Sequence, residues 1–197
     1  MTAAFNSKLL DKALTLLSGR LELDNAPPAD LVVCGGSALL ALGLVSRTTQ
    51  DVDVVAVIDK EGKLNNINPL PSHLRAAARQ VAIDLNLDKN WLNPGPADLV
   101  DLGLPAGFAE RLNPRKYGKK LTVNFIGRLD QIHFKLYAAV DRGPGYHVDD
   151  LLALKPTPDE VTAAARWAVT HDVSDEFKLV LKDMLRKFGY GSAAEKI

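Results

Sequence analysis

Leu31-Val32-Val33-Cys34-Gly35-Gly36-Ser37-Ala38-Leu39-Leu40, followed by Arg47-Thr48-Thr49-Gln50-Asp51-Val52-Asp53-Val54-Val55-Ala56-Val57-Ile58, decides the fold. Residues 31–34 are a short apolar run that reads as a strand. Gly35-Gly36 makes a turn, and 37–42 begins a short helix. The valine-rich segment 51–58 is the clearest strand in the chain. Strand, glycine turn, helix, strand is an α/β pattern. In a regular strand, residues two apart lie on one face, about 7 Å from each other. Asp51 and Asp53 therefore project together, with Val55 and Val57 continuing their face. Val52, Val54, Ala56 and Ile58 line the other face. Apolar residues on both faces predict a strand entering a core, with two carboxylates at its mouth.

Two adjacent carboxylates repel unless protons or a cation compensate them. A divalent metal with oxygen ligands fits, and Mg²⁺ suits carboxylates that also meet phosphates. Gly35-Gly36-Ser37 supplies a complementary feature. Glycines let a backbone approach a ligand closely, and the amides that follow attract anions. Each piece alone has an ordinary reading: a tight turn, a solvated strand end, a surface arginine. Their order and spacing together point to phosphoryl or nucleotidyl transfer.

Working outward, 6–18 reads as an amphipathic helix with Gly19 as its stop. Residues 25–30 and 60–71 read as loops, and 71–85 as a helix. Residues 90–92 read as a brief strand, and 93–107, rich in proline and glycine, as a long irregular connection. A strand over 121–126 precedes a helix over 128–141, a break at Gly143-Pro144-Gly145 and a short helix over 148–154. Thr157-Pro158-Asp159-Glu160 carries a cap, a first-turn proline and an acid at the third position, predicting a helix to about 171. Ser174-Asp175-Glu176 opens a last helix to about 188, with Gly189 behind it. The expected fold is a small mixed β-sheet flanked by helices. Its α/β core spans 1–127, and a helical C-terminal part, 128–197, packs on it as one unit.

Composition bounds the partners. Of 197 residues, 47% are apolar and 24% charged, as in an ordinary globular chain. Lys plus Arg equals Asp plus Glu at 24 each, which argues against a general nucleic-acid coat but leaves room for a local basic site. One cysteine, Cys34, excludes an internal disulfide and reads as a small core residue. The four histidines have no metal-ligand spacing. With no signal-like start and no membrane-length apolar run, the expectation is a cytoplasmic chain with no membrane partner.

Gly35-Gly36-Ser37, thirteen intervening residues and then Asp51-Val52-Asp53 resembles the first motif of the nucleotidyltransferase superfamily that includes DNA polymerase beta. The fuller string, with Arg47-Thr48-Thr49-Gln50 before the acids, resembles the bacterial branch of abortive-infection and toxin–antitoxin nucleotidyltransferases. The resemblance covers about 31–154 and is strongest over 31–57. It implies that Asp51 and Asp53 bind Mg²⁺ or Mn²⁺, and that Gly35, Gly36 and Ser37, with Arg47 and Thr49, hold nucleotide phosphate. It also implies a helical lysine, then an arginine, then an acid opening the next helix. Lys135, Arg142 and Asp150 match that order.

A helical wheel agrees in part. Leu129, Ile132, Leu136 and Val140 form an apolar stripe, with Arg128, Lys135 and Arg142 along one edge. Such a row can reach a polyphosphate or simply be a solvated rim. Full catalysts of the superfamily usually carry a third carboxylate on a neighbouring strand. Residues 121–126 offer only Asn124, and Trp91-Leu92-Asn93 offers no acid. Asp98 and Asp101 lie in the irregular connection, and His147 stands near where some relatives have an acid.

Two functional expectations follow. The leading one is Mg²⁺-dependent transfer of a nucleoside monophosphate from a nucleoside triphosphate to a hydroxyl of RNA, such as a tRNA end, or of a protein. That would suit a toxin–antitoxin or phage-defence component with a cognate protein partner. Asp51, Asp53, Lys135 and Asp150 would be its catalytic set. The alternative is a catalytically degenerate nucleotide-binding or protein-interaction module of the same fold.

Overall fold

A computed structural model describes residues 2–143 and 145–197 and divides the chain into two units, Met1–Ile126 and Gly127–Ile197. The fold is mixed α/β, as the strand–turn–helix–strand pattern predicts, with a six-stranded sheet and nine α-helices among the described residues.

The first unit holds α1 (Ser7–Leu23), β1 (Ala29–Cys34), α2 (Gly35–Ala41), β2 (Val52–Ile58), β3 (Leu64–Asn65), α3 (Ser72–Leu85), β4 (Leu92–Asn93), α4 (Leu99–Leu102), β5 (Asn113–Tyr117) and β6 (Leu121–Phe125). The sheet runs β3-β2-β1-β6-β5, with β4 also paired to β2. β1 is antiparallel to β2 and parallel to β6, which makes the sheet mixed. Leu31, Val33, Val52, Val54, Val123 and Phe125 meet the buried stripe of α1 (Leu10, Leu14, Leu17, Leu21) and that of α3 (Leu74, Ala77, Ala78, Val81) in one apolar core. Burial of that stripe is the main stabilising term, because each such side chain contributes roughly 1.5–3 kcal/mol on leaving water.

Several sequence expectations shift for physical reasons. Gly19 does not stop α1, which continues through Gly19 to bury Leu21. A helical glycine costs about 1 kcal/mol against alanine, less than a buried leucine contributes. β1 begins at Ala29, inside the expected loop, because the parallel ladder to β6 starts with Ala29 opposite Leu121. β5 falls outside every expected element: four of its five residues are exposed, so no alternation marks it. As the sheet's edge it tolerates Pro114, and the turn at Gly118, with φ +71°, joins it to β6.

The largest shift lies in β2. Leu31 faces Val57 and Val32 faces Ala56, but Val33 faces Val54, so one extra residue is accommodated between them. This bulge moves Val57 to the core face. The face that carries Asp53 continues instead through Ala56, opposite Val32.

The second unit is helical: α5 (Arg128–Asp141), α6 (Gly145–Ala153), α7 (Pro158–His171), α8 (Asp175–Lys187) and α9 (Gly191–Ala194). In the expected Gly143-Pro144-Gly145 break, Pro144 lies outside the described residues. The Thr157/Glu160 capping box is formed reciprocally, and Ser174 caps α8 through Phe177 N. Trp167 centres the packing: its ring stacks on Phe134 at 5.6 Å and 8°, with Tyr137 edge-on at 5.9 Å. None of the described helices is long and apolar enough to cross a membrane.

Candidate functional site

β1 delivers the chain to Cys34, and the turn follows at Gly35, whose φ of +70° is a left-handed conformation that glycine adopts without a Cβ penalty. Cys34 is the cross-strand partner of Asp53 on β2. Paired residues share a face, so the carboxylate stands beside the turn. The approach is close: a Cβ on Gly35 would lie 2.5 Å from Asp53 Oδ2. On Gly36 it would lie 2.7 Å from Thr49 Oγ1 and 3.3 Å from Arg47 Nη2. Gly35, Gly36, Arg47, Thr49 and Asp53 therefore converge.

Asp51 joins them through Thr49, whose hydroxyl donates to Asp51 Oδ1 at 3.3 Å. Thr49 is itself held from outside the motif. Its backbone exchanges hydrogen bonds with Phe5 at 2.7 and 3.1 Å, and the buried Phe5 ring packs 5.7 Å from that of Trp91. The segment ahead of α1 thus anchors the loop that presents Arg47 and Thr49. A lone phenylalanine ahead of the first helix carries no sequence signal of that role. Arg47 also donates from Nη1 to the Thr48 carbonyl at 3.0 Å.

Ser37 is fully buried, and its hydroxyl donates back to the Cys34 carbonyl at 3.2 Å. In this geometry it braces the turn. Asp51 and Asp53 are both half-buried. Two carboxylates and a threonine hydroxyl are hard oxygen donors, and they fit Mg²⁺, which commonly takes one or two carboxylates and completes its shell with water and phosphate. Among the described residues no group of three or more His, Cys, Asp or Glu side chains could hold a metal.

Among the described residues no third acid joins the pair, and the neighbouring strands explain why. β4 runs parallel to β2 and sets Asn93, an amide, opposite Asp53. Asn93 Oδ1 accepts from Gly95 N at 2.9 Å, turning the chain away. On β6, Asn124 lies opposite Val32 and donates to Asp30 Oδ1 at 2.5 Å. Asp30 shares the face of Cys34 but sits four residues back, about 13 Å along the strand. Asp98 and Asp101 both accept from the Asn66 amide, at 3.4 and 2.6 Å.

In the second unit, each cation of the 128/135/142 row has a carboxylate. Arg128 forms a two-pronged pair with Glu160 at 2.6 and 3.0 Å. The Arg128 guanidinium holds the Glu160 carboxyl below the usual glutamate range. Lys135 Nζ lies 2.7 Å from Asp150 Oδ2, with side chains 6% and 2% exposed, and 5.6 Å from the Tyr146 ring centre. Arg142 is exposed and 3.7 Å from Asp141. His133 Nδ1 pairs with the Leu129 carbonyl at 2.8 Å, and His147 is buried against Tyr146. Comparison with protein-family models, curated proteins and solved structures finds no match to this chain.

Proposed function

We propose that the first unit is a nucleotidyltransferase-like site that takes a nucleoside triphosphate with Mg²⁺. The observation that carries this reading is the packing of the Gly35-Gly36 backbone directly on Asp53, Thr49 and Arg47. A core strand has no use for two half-buried, closely spaced carboxylates beside an arginine and a stripped-down glycine turn. Asp51 and Asp53 would hold the metal, and Thr49 orients Asp51. The Gly35-Gly36 backbone lets Asp53, Thr49 and Arg47 close on the turn, and Arg47 would supply countercharge to phosphate. When bound, the metal would orient the triphosphate and screen charge as it develops. In the transfer, an acceptor hydroxyl attacks the α-phosphorus, pyrophosphate departs and the hydroxyl proton passes to solvent. The acceptor class expected from the sequence is RNA or a protein side chain, in a toxin–antitoxin or phage-defence setting.

A second reading is favoured by Asn93. An amide opposite Asp53 cannot supply the charge of a third carboxylate, which suits a chain that binds nucleotide without transferring it.

Thermal unfolding of wild type and Asp51→Ala with each nucleoside triphosphate, with and without Mg²⁺, tests both. A ligand that binds only the folded state adds about 2.7 kcal/mol at a hundredfold excess over Kd. A Mg²⁺-dependent rise that Asp51→Ala removes supports the site; no rise with any nucleotide rejects it. Transfer of label from an α-phosphate-labelled triphosphate to an acceptor then separates catalyst from binder.

A further inference from the structure

A cleft of about 190 Å³ opens beside β4, walled by Arg75, Arg79, Lys89, Asn68 and Asn90 over an apolar floor that includes Leu92. No carboxylate lines it. Arg75 and Arg79 are one helical turn apart on α3, and Lys89 faces them from the loop leading to β4. Like charges at that spacing destabilise a helix by a few tenths of a kcal/mol, and a third cation adds to the repulsion. Of the acids near these cations in the sequence, Asp84 pairs with Arg20 at 2.7 Å, and Asp88 accepts from Asn90 N at 2.8 Å. In a chain with equal numbers of acids and bases, three cations and no carboxylate among the described lining residues make this cleft locally positive.

We propose that this cleft docks the phosphate backbone of a polynucleotide, making RNA the acceptor class for the neighbouring site. The role as acceptor rests on the nucleotidyl-transfer reading; the docking itself does not. Size and position argue for a polymer. Pockets that enclose a small molecule usually measure about 300–1,000 Å³. At about 190 Å³ this cleft is smaller than that and does not enclose a ligand. β4 links the two places: Asn93 lies opposite Asp53, while Leu92 and Pro94, on either side of it, line the cleft. Leu92 and Asn93, the two residues of β4, alternate in face, so the cleft that Leu92 lines lies on the face away from Asn93 and Asp53. A single hydroxylated side chain reaches only one of these places. A nucleic-acid strand with a phosphate at every residue can follow the edge and engage both. Planar guanidinium groups and amides suit phosphate oxygens and sugar hydroxyls.

Fluorescence anisotropy with labelled bulk tRNA and with a labelled mixed-sequence single-stranded RNA, over a salt series, tests the cleft. The wild type should bind at least one of them, with log K falling linearly against log salt. Arg75→Ala/Arg79→Ala/Lys89→Ala should weaken that binding roughly tenfold or more. On a single strand it should also make the salt slope shallower by about 0.7 for each phosphate no longer neutralised. Lys89→Glu alone, an exposed change that leaves α3 untouched, should weaken binding in the same direction. Binding of neither RNA, equal binding by wild type and variants, or competition by polyglutamate at equal charge concentration overturns the proposal. The last outcome would assign the cleft to an acidic protein. The Mg²⁺-dependent nucleotide shift is measured on the same variants. Its loss in Asp51→Ala and survival in the triple variant separates the two sites. RNA binding through the cations without any nucleotide shift would leave the cleft standing and reject the nucleotidyl-transfer reading.

Discussion

Asp53 Oδ2 lies 2.5 Å from where a Cβ on Gly35 would stand, so this glycine and this carboxylate occupy space that only a glycine leaves open. The Gly35 φ of +70° adds a second constraint, independent of the first. Gly35→Ala should therefore destabilise the protein by about 2–4 kcal/mol, summing left-handed strain of about 1–2 kcal/mol and the clash. Gly35→Ala/Asp53→Ala should recover the steric part and leave the strain. Urea unfolding of the four-member cycle measures the coupling, expected at about 0.5–3 kcal/mol. Strict additivity would mean that the two residues do not touch.

Lys135 and Asp150 form a pair with almost no access to water. Removing one partner strands the other charge, at a cost of roughly 3–5 kcal/mol. Lys135→Met and Asp150→Asn should each lower the unfolding midpoint in urea strongly. Lys135→Met/Asp150→Asn, which removes both charges, should regain most of the loss. A Lys135→Met protein as stable as wild type would release the lysine from this structural role.

The glycine turn and the paired acids are legible in the sequence because their signals are local. A strand, two glycines and Asp-Val-Asp each announce themselves within a few residues, and the structure brings Gly35, Gly36, Arg47, Thr49 and Asp53 together. What is not legible depends on distant partners. Whether Lys135 is a free cation or half of a buried pair rests on Asp150, in the next helix. Whether Val57 lies with Asp53 rests on a bulge set by pairing with β1. Phe5 holds Thr49 through backbone bonds that no side-chain pattern encodes. β5 has no alternation because only Tyr117 of its five residues is buried. The cationic cleft joins Asn68, two turns of α3 and Lys89, and no sequence window spans that arrangement.

Tyr117 donates its hydroxyl to Asp11 at 2.9 Å, and burial, then that bond, push its pKa up from 10.0 to about 12. The folded state thus keeps a proton that the unfolded chain gives up first. The resulting stability is fully present below pH 10 and is lost as pH rises through about 12. The loss is on the order of 2 kcal/mol. Tyr117→Phe should cost about 0.5–1.5 kcal/mol at neutral pH through the missing bond. Its unfolding midpoint should then fall less steeply than that of wild type between pH 10 and 12. Parallel curves across that window would show that Tyr117 is not the titrating group.

Arg128 and Glu160 give the opposite dependence. Arg128 joins the start of α5 to the capping box of α7, and also donates to the Leu154 and Lys155 carbonyls at 2.9 Å each. Glu160 accepts from both Arg128 and the Thr157 backbone, and so binds its proton less readily folded than unfolded. Its contribution is complete above the unfolded glutamate value of about 4.5 and disappears as pH falls through the lower folded value. Since both side chains keep some access to water, the pair is worth less than a buried one, about 1 kcal/mol plus about 1 kcal/mol for the cap. Glu160→Gln should therefore be less stable than wild type at pH 7, and the gap should narrow as pH falls below about 4.5. The measurement is urea unfolding across pH 3–7. A constant gap down to the acid end would place the loss in packing and not in the charge of Glu160.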